Sequence, residues 1–275
     1  ALDRDAVRRV VLAKGRPEAH PLIVHVLGES QAPSWAADWT PLASELARAF
    51  WPGPLTLVVA KSDLVPPEVT GGSPAVALRA PSHPVARALL EALGEPVVAP
   101  SANRYQSLSP TRAEHVVASL AGADVLVLDA GACPSGIEST VVDVRTDPPR
   151  VLRPGALSLE ALRAVAKNVQ YAHIEVDESA PRESPGQAAR HYAPRTPLVL
   201  AGRAEALARA GEPGVAAVVF GAPAPASVRV LPRDPAAAGA ALYGLLYDLD
   251  REGHALVVVE SPPGEPGWEA VADRL

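Results

Sequence analysis

The stretch "STVVDVRTDPPRVLRPG", residues 139 to 155, decides what kind of sheet this chain builds. Two β-branched, apolar runs flank Asp147-Pro148-Pro149, a turn signal, so they read as a pair of neighbouring strands joined tightly. Around this pair, strands and helices follow one another without strict alternation. Upstream come "PLIVHV", the helical "PLASELARAF", "GPLTLVVA", "PAVALRAP", the helix "HPVARALLEAL", the short strand "PVVAPSAN", the helix "TRAEHVVASL" and the strand "ADVLVLDAG". Downstream, a helix runs from Ser158 to about Ala166. That order predicts an α/β fold with an open, twisted sheet of mixed strand direction rather than a regular doubly wound one.

The first residues continue the pattern. Ala6, Val7, Val10, Val11 and Ala13 fall on or near one helical face over residues 3 to 14, with Asp3 as N-cap and Gly15 as the stop. Residues 167 to 196 show no sustained apolar period and carry proline, glycine and charge, the composition of a linker. Past it, "PLVLAG", "RAEALARA", "GVAAVVFG", "SVRVLP", "DPAAAGAALYGLLYDLDREG", "HALVVVESP" and "GWEAVADRL" alternate strands with helices. They predict a small Rossmann-like α/β domain with parallel strands. The expected division is therefore a first domain over 1–166, a linker or lid over 167–196 and a second domain over 197–275.

Composition narrows the function classes. The chain has 275 residues, 48% of them hydrophobic, enough for two cores. A formal net charge of -6 gives no broad basic surface, which argues against bulk binding to nucleic acid; any anion site must be local. Cys133 is the single cysteine, which excludes an internal disulfide and cysteine-rich zinc motifs and fits a reducing cytosol. No apolar stretch reaches the length of a membrane span, and no signal peptide opens the chain. The expected location is cytoplasmic. There is no methionine, and the first helix reads as already under way at residue 1, so the chain is expected to start inside a longer protein.

Several residues gather polar and cationic chemistry at strand ends. "AKGRPEAHPLIVHV", residues 13 to 26, sets Lys14, Arg16, His20 and His25 around a strand entrance. Basic residues at a helix C-terminus also serve the helix dipole, and each histidine can be an ordinary half-buried one. In "APSANRYQSLSPT", residues 99 to 111, Ser101 and Asn103 follow the C-terminal end of a short strand, where α/β sheets place ligands. Ser109 and Thr111 are read as opening a helix with free amides; an ordinary N-cap turn explains them equally. "GIESTVVD" puts Ser139 and Thr140 at a strand entrance. Arg79 in "VALRAP" and Arg153 in "VLRPG" stand at strand termini. Three arginines with two hydroxyl clusters describe a site for something multiply anionic. No P-loop, G-x-G-x-x-G fingerprint, G-x-S-x-G elbow or H-E-x-x-H metal motif is present, and no nucleophile stands out.

The segments "KGRP…HPLIVHV", "PGPLTLV", "VALRAPSHP", "PSANRYQSLSPT", "GIESTVVD", "LRPG" and "SPGQAARHYAPRTPL", in this order, resemble the threonylcarbamoyl-AMP synthase family in its two-domain form, a YrdC-like domain plus a C-terminal domain. The resemblance covers nearly the whole chain. It implies an enzyme that joins L-threonine, bicarbonate and ATP into threonylcarbamoyl-adenylate and pyrophosphate, usually with Mg2+. A separate tRNA-modifying transferase complex would act downstream, with no membrane and no stable direct nucleic-acid binding. By the resemblance, Lys14 and Arg16 are the catalytic pair facing the ATP phosphates and carbonate. His25, Arg79, Ser101 and Ser139 are L-threonine contacts; Arg16, His20, Asn103, Thr111, Arg153 and Tyr192 are ATP contacts. No residues are assigned to a metal. His20 stands where the family usually shows asparagine. A Thr-Val-Tyr-Gly-Leu-Gly segment that the family carries just upstream of the position of Ala1 is absent, so the resemblance too leads us to expect a chain that begins inside a longer protein. The competing readings are a non-catalytic nucleotide- or RNA-binding module and a carbamoyl-adenylate-forming relative. The latter carries cysteine-rich or larger extra modules that this chain lacks.

Overall fold

The computed structural model describes residues 1–172 and 192–275. In chain order, the first half runs α1 (Arg4–Lys14), β1 (Ile23–His25), a 3-10 turn (Glu29–Trp35), α2 (Pro41–Phe50), β2 (Leu55–Ala60), α3 (Pro67–Thr70), β3 (Ala75–Arg79), α4 (Pro84–Leu93) and β4 (Val97–Val98). Next come α5 (Ala113–Ser119), β5 (Thr140–Asp143), β6 (Arg150–Arg153), α6 (Leu159–Arg163) and β7 (Gln170–Tyr171). The remainder is β8 (Leu198–Ala201), α7 (Arg203–Arg209), β9 (Val215–Phe220), β10 (Arg229–Leu231), α8 (Pro235–Glu252), β11 (Leu256–Glu260) and α9 (Glu269–Ala272). Among the described residues no helix is long and apolar enough to cross a membrane.

Two compact units result. Ala1–Tyr105 with Glu138–Ala189 form one, and Gln106–Ile137 with Arg190–Leu275 the other, residues 173–191 lying outside the described set. Gln106–Ile137, inside the first domain on the linear reading, thus groups with the second unit. Of the 167–196 stretch, Gln170–Tyr171 form an edge strand, and Ala193 bridges in parallel to Ser107. His191 lies outside the described residues.

The first unit holds a seven-stranded sheet in the order β4-β1-β3-β2-β5-β6-β7. Its directions are mixed: β1 runs parallel to β3 and antiparallel to β4, β2 antiparallel to β3 and parallel to β5. β5 and β6 form the antiparallel pair read from "STVVDVRTDPPRVLRPG". The central strands are buried almost end to end, which is why "LTLVVA" and "AVALR" read as apolar runs rather than alternating ones. α1 is not already under way at residue 1: it starts at Arg4 behind the Asp3 cap and stops at Gly15. Asp3 Oδ1 accepts from the Ala6 amide at 2.9 Å, and Gly15 adopts the left-handed conformation at φ 62°, its amide donating to Leu12 O.

The second unit carries a parallel four-stranded sheet, β10-β9-β11-β8. α8 packs on it through Leu242, Tyr243, Leu246 and Leu249, each buried. One expected strand does not form. Residues 123–131 pair with no strand among the described residues, and Leu126 is 89% exposed. The run is bracketed by Gly122 and Gly131, both at φ 82°, and Asp129 Oδ1 accepts from the Gly131 amide at 2.9 Å. Local turn chemistry closes both ends, and four apolar residues carry no information about which ladder they join.

Candidate functional site

Most of the expected site residues belong to the first unit. α1 delivers Lys14 at its last turn, and the reversal at Gly15 swings the chain so that Arg16 follows at once; the Arg16 amide still donates to Val11 O at 3.1 Å. Arg16 Nη2 donates to Pro21 O at 3.0 Å, which holds the guanidinium against the loop that enters β1. The other side of this loop rests on Gly71: a Cβ there would sit 2.4 Å from Ala19 O. His20 meets the Tyr105 ring edge-on at 5.2 Å between centroids.

Lys14 is buried, at 4% exposure, yet it is a charged residue. Its Nζ donates to Ser101 O, to Asn103 O at 2.6 Å and to Asn103 Oδ1 at 3.2 Å, three acceptors for the three protons of an ammonium. The Tyr105 amide donating to Lys14 O at 2.8 Å ties the same loop to the end of α1. Burial and then the neighbouring Arg16 charge pull the Lys14 ammonium down to about 7.

The register of β1 on β3 sets His25 opposite Arg79. Burial, then Arg79, hold the His25 imidazole at about 3, so the ring is neutral near pH 7; its Nδ1 has no hydrogen-bond partner among the described residues. Arg79 Nε donates to Gly53 O at 3.1 Å, and the Gly53 amide donates to Ala80 O at 2.8 Å. Only glycine fits there, since a Cβ would lie 2.2 Å from Phe50 O. Burial and the Arg153 charge lower the Arg79 guanidinium to about 10.

Arg153, 3% exposed, ends β6 and turns onto Ser139, which stands just before β5. Its Nε and Nη2 donate to Ser139 O at 3.2 and 2.8 Å, and Nη2 also to Ser139 Oγ at 3.1 Å. Thr140 pins the turn from behind, donating to Leu157 O at 2.7 Å and accepting from the Leu157 amide at 3.0 Å. Gly155 explains the glycine of "LRPG": a Cβ would come within 2.5 Å of Glu138 O, Ser139 C and Thr140 N, all backbone. Sequence reasoning missed Thr56. It is fully buried in β2 and its Oγ1 lies 2.7 Å from Ser139 Oγ. A threonine inside the otherwise apolar "LTLVVA" was the available signal.

The electrostatics of this group are lopsided. Elsewhere arginines meet carboxylates, as Arg145 meets Asp143 at 2.9 Å and Arg203 meets Glu260 at 2.9 Å. Lys14 and Arg79 have no carboxylate within ion-pair distance among the described residues, and the charges acting on them are other cations. Clustered cations lowering one another's affinity for protons are stabilised by a bound anion.

Two expected ATP contacts belong to the second unit. Thr111 does not open a helix: α5 starts at Ala113, with Arg112 at the cap position. The Thr111 amide is not free either. It donates to His115 Nδ1 at 3.3 Å, one turn on, and the His115 ring stacks on Tyr247 at 3.8 Å. Tyr192 is 8% exposed within the core that includes Tyr243, its ring 6.2 Å from the Tyr243 ring, and the Arg274 guanidinium lies 5.3 Å from its centroid.

Comparison with known proteins follows the same lines. A Sua5/YciO/YrdC family model, described as "Telomere recombination", matches residues 1–155, and one described as "Threonylcarbamoyl-AMP synthase, C-terminal domain" matches residues 157–275. A threonylcarbamoyl-AMP synthase of Pyrococcus abyssi is 41% identical over 201 residues, 73% of this chain and 59% of that protein. One of Bacillus subtilis is 41% identical over 73% of this chain and 58% of its own length. The chain thus spans about three-fifths of the length of these curated relatives. A crystal structure of Pyrococcus abyssi Sua5 complexed with L-threonine matches with a TM-score of 0.91 at 36% identity, covering 100% of this chain and 84% of that one. By both halves of its sequence, this chain belongs to the Sua5/YciO/YrdC family in the form that carries the Sua5 C-terminal domain.

Proposed function

We propose that this chain is an L-threonylcarbamoyladenylate synthase, which joins L-threonine, bicarbonate and ATP into threonylcarbamoyl-AMP, releasing pyrophosphate and water. The product would supply a tRNA-modifying transferase complex. The observation that carries the proposal is two pairs of neighbouring cations in the first unit, Lys14 beside Arg16 and Arg79 beside Arg153, the last held on Ser139, with Lys14 and Arg79 lacking a carboxylate partner among the described residues. The names of the curated relatives and the L-threonine complex of the Pyrococcus abyssi protein support the choice of substrates.

The chemistry asks for such a site. The amine of L-threonine must reach the carbonate carbon, and a carbamate oxygen must then displace pyrophosphate from the α-phosphate, so three anionic groups have to be held together. Fixed donors lower that cost by positioning and by meeting charge as it develops, and no protein nucleophile is needed. In this reading Arg79 takes the amino-acid carboxylate beside neutral His25, with Ser139 and Ser101 as further contacts to L-threonine. Lys14 and Arg16 serve carbonate and phosphates; Arg153, Asn103 and His20 serve the nucleotide, and the roles of Thr111 and Tyr192 rest on the family resemblance alone. Among the described residues no group of three His, Cys, Asp or Glu is placed to hold a metal ion. In this reading Mg2+ enters the reaction with ATP, as the metal complex of its phosphates. The test is pyrophosphate release from ATP with bicarbonate and varied amino acids. Release that requires both L-threonine and bicarbonate and disappears in Arg16→Ala supports the assignment. ATP binding without threonine-dependent release rejects it.

A further inference from the structure

Thr56 has a feature that its strand does not need. β2 is buried throughout, and a valine would fill the same space without a hydroxyl to satisfy. A buried hydroxyl is costly unless bonded. Among the described residues, Thr56 Oγ1 has one partner, Ser139 Oγ, at 2.7 Å.

Counting protons shows what this bond does. A guanidinium only donates, so the 3.1 Å contact from Arg153 Nη2 occupies one acceptor site of Ser139 Oγ. Two arrangements of the Thr56–Ser139 pair remain. If Ser139 donates, the Thr56 hydrogen is enclosed at a residue with 0% exposure and no second acceptor among the described residues. If Thr56 donates, both acceptor sites of Ser139 are filled and its own O–H has only one direction of use, outward as a donor. The second arrangement moves the unmatched hydrogen off the core strand and onto Ser139, itself only 2% exposed, where an oxygen of a bound substrate would be its acceptor.

We infer that Thr56 is a positioning residue: by donating to Ser139 it fixes that hydroxyl as a donor, so that Ser139 presents a donor and no acceptor to the amino-acid substrate. This rests on the functional reading above, in which Ser139 contacts L-threonine. Thr56 itself touches no substrate and acts through Ser139.

The test is calorimetric titration of L-threonine into wild type, Thr56→Val, Thr56→Ser, Ser139→Ala and the double variant Thr56→Val/Ser139→Ala, with thermal melting of each. Thr56→Val should weaken L-threonine binding about fivefold, the scale of one net hydrogen bond, and Thr56→Ser should stay within about twofold of wild type. In the Ser139→Ala background, Thr56→Val should add no further loss, because the only group through which it acts is gone. Wild-type affinity in Thr56→Val, or an equal loss in both backgrounds, overturns the inference while leaving the functional reading standing. No binding of L-threonine to wild type overturns the functional reading itself and the inference with it. If Thr56→Val does not fold, Thr56→Ala carries the same expectation in the same cycle.

Discussion

Replacing Lys14 by methionine, an unbranched apolar side chain of similar length, should change how stability depends on pH. In the folded chain, burial and Arg16 hold the Lys14 ammonium at about 7, against 10.5 for an exposed lysine. Between these values the unfolded chain binds a proton that the folded chain does not. Stability therefore rises as pH climbs from about 7 toward 10.5, and is lost as pH falls back through that window. The limiting slope is about 1.4 kcal/mol per pH unit, so from pH 7.5 to 9.5 this one residue adds about 2 kcal/mol. Burial lowers the Ala1 amino group and raises the Cys133 thiol from their ordinary values, but both are common to wild type and variant and cancel in the difference. Urea unfolding at the two pH values, followed by tryptophan fluorescence, reads mainly the first unit, which holds Trp35, Trp39 and Trp51. The gain on going to pH 9.5 should be about 2 kcal/mol larger in wild type than in Lys14→Met. Equal pH dependence in the two proteins would refute the argument that Lys14 is a destabilised buried cation.

Gly155→Ala should act on Ser139 without touching its side chain, because the new Cβ meets three backbone atoms at 2.5 Å. Backbone must move, and a lower melting temperature with at least a tenfold loss of L-threonine affinity is expected; unchanged affinity in a folded variant contradicts the close-approach argument. Arg79→Lys keeps the charge but loses the planar fork and the Nε bond to Gly53 O. The KM for L-threonine should rise tenfold or more with a smaller change in kcat, and a KM within twofold of wild type would show that a point charge suffices.

Much of the fold was legible because its signals are local. Asp3 and Gly15 delimit α1 through bonds made within one turn of the residues concerned. The β5–β6 hairpin follows from its turn residues, and the alternation after residue 197 gives a parallel sheet. The strand expected at 123–131 fails for the complementary reason: pairing is tertiary, and the local turns at Gly122 and Gly131 win. The site divides in the same way. Arginines at strand ends announce an anion site from composition and position alone. That Lys14 is held by the Ser101 carbonyl, and that Thr56 bonds Ser139 across parallel neighbours, depends on strand order, which no single segment encodes. At Thr111 an N-cap pattern was matched by sequence, but its amide is taken by His115, four residues on.

The central claim is that these cations join bicarbonate, an amino acid and the adenylyl group of ATP into a carbamate–phosphate mixed anhydride, with pyrophosphate and water released. The most direct measurement is mass spectrometry of the reaction products with carbon-13 bicarbonate, ATP and L-threonine. The account predicts an adenylate that carries the heavy carbon and the threonine together, formed by wild type and absent with Arg16→Ala. An adenylate without the label, or none in any amino acid tested while ATP still binds, would contradict it.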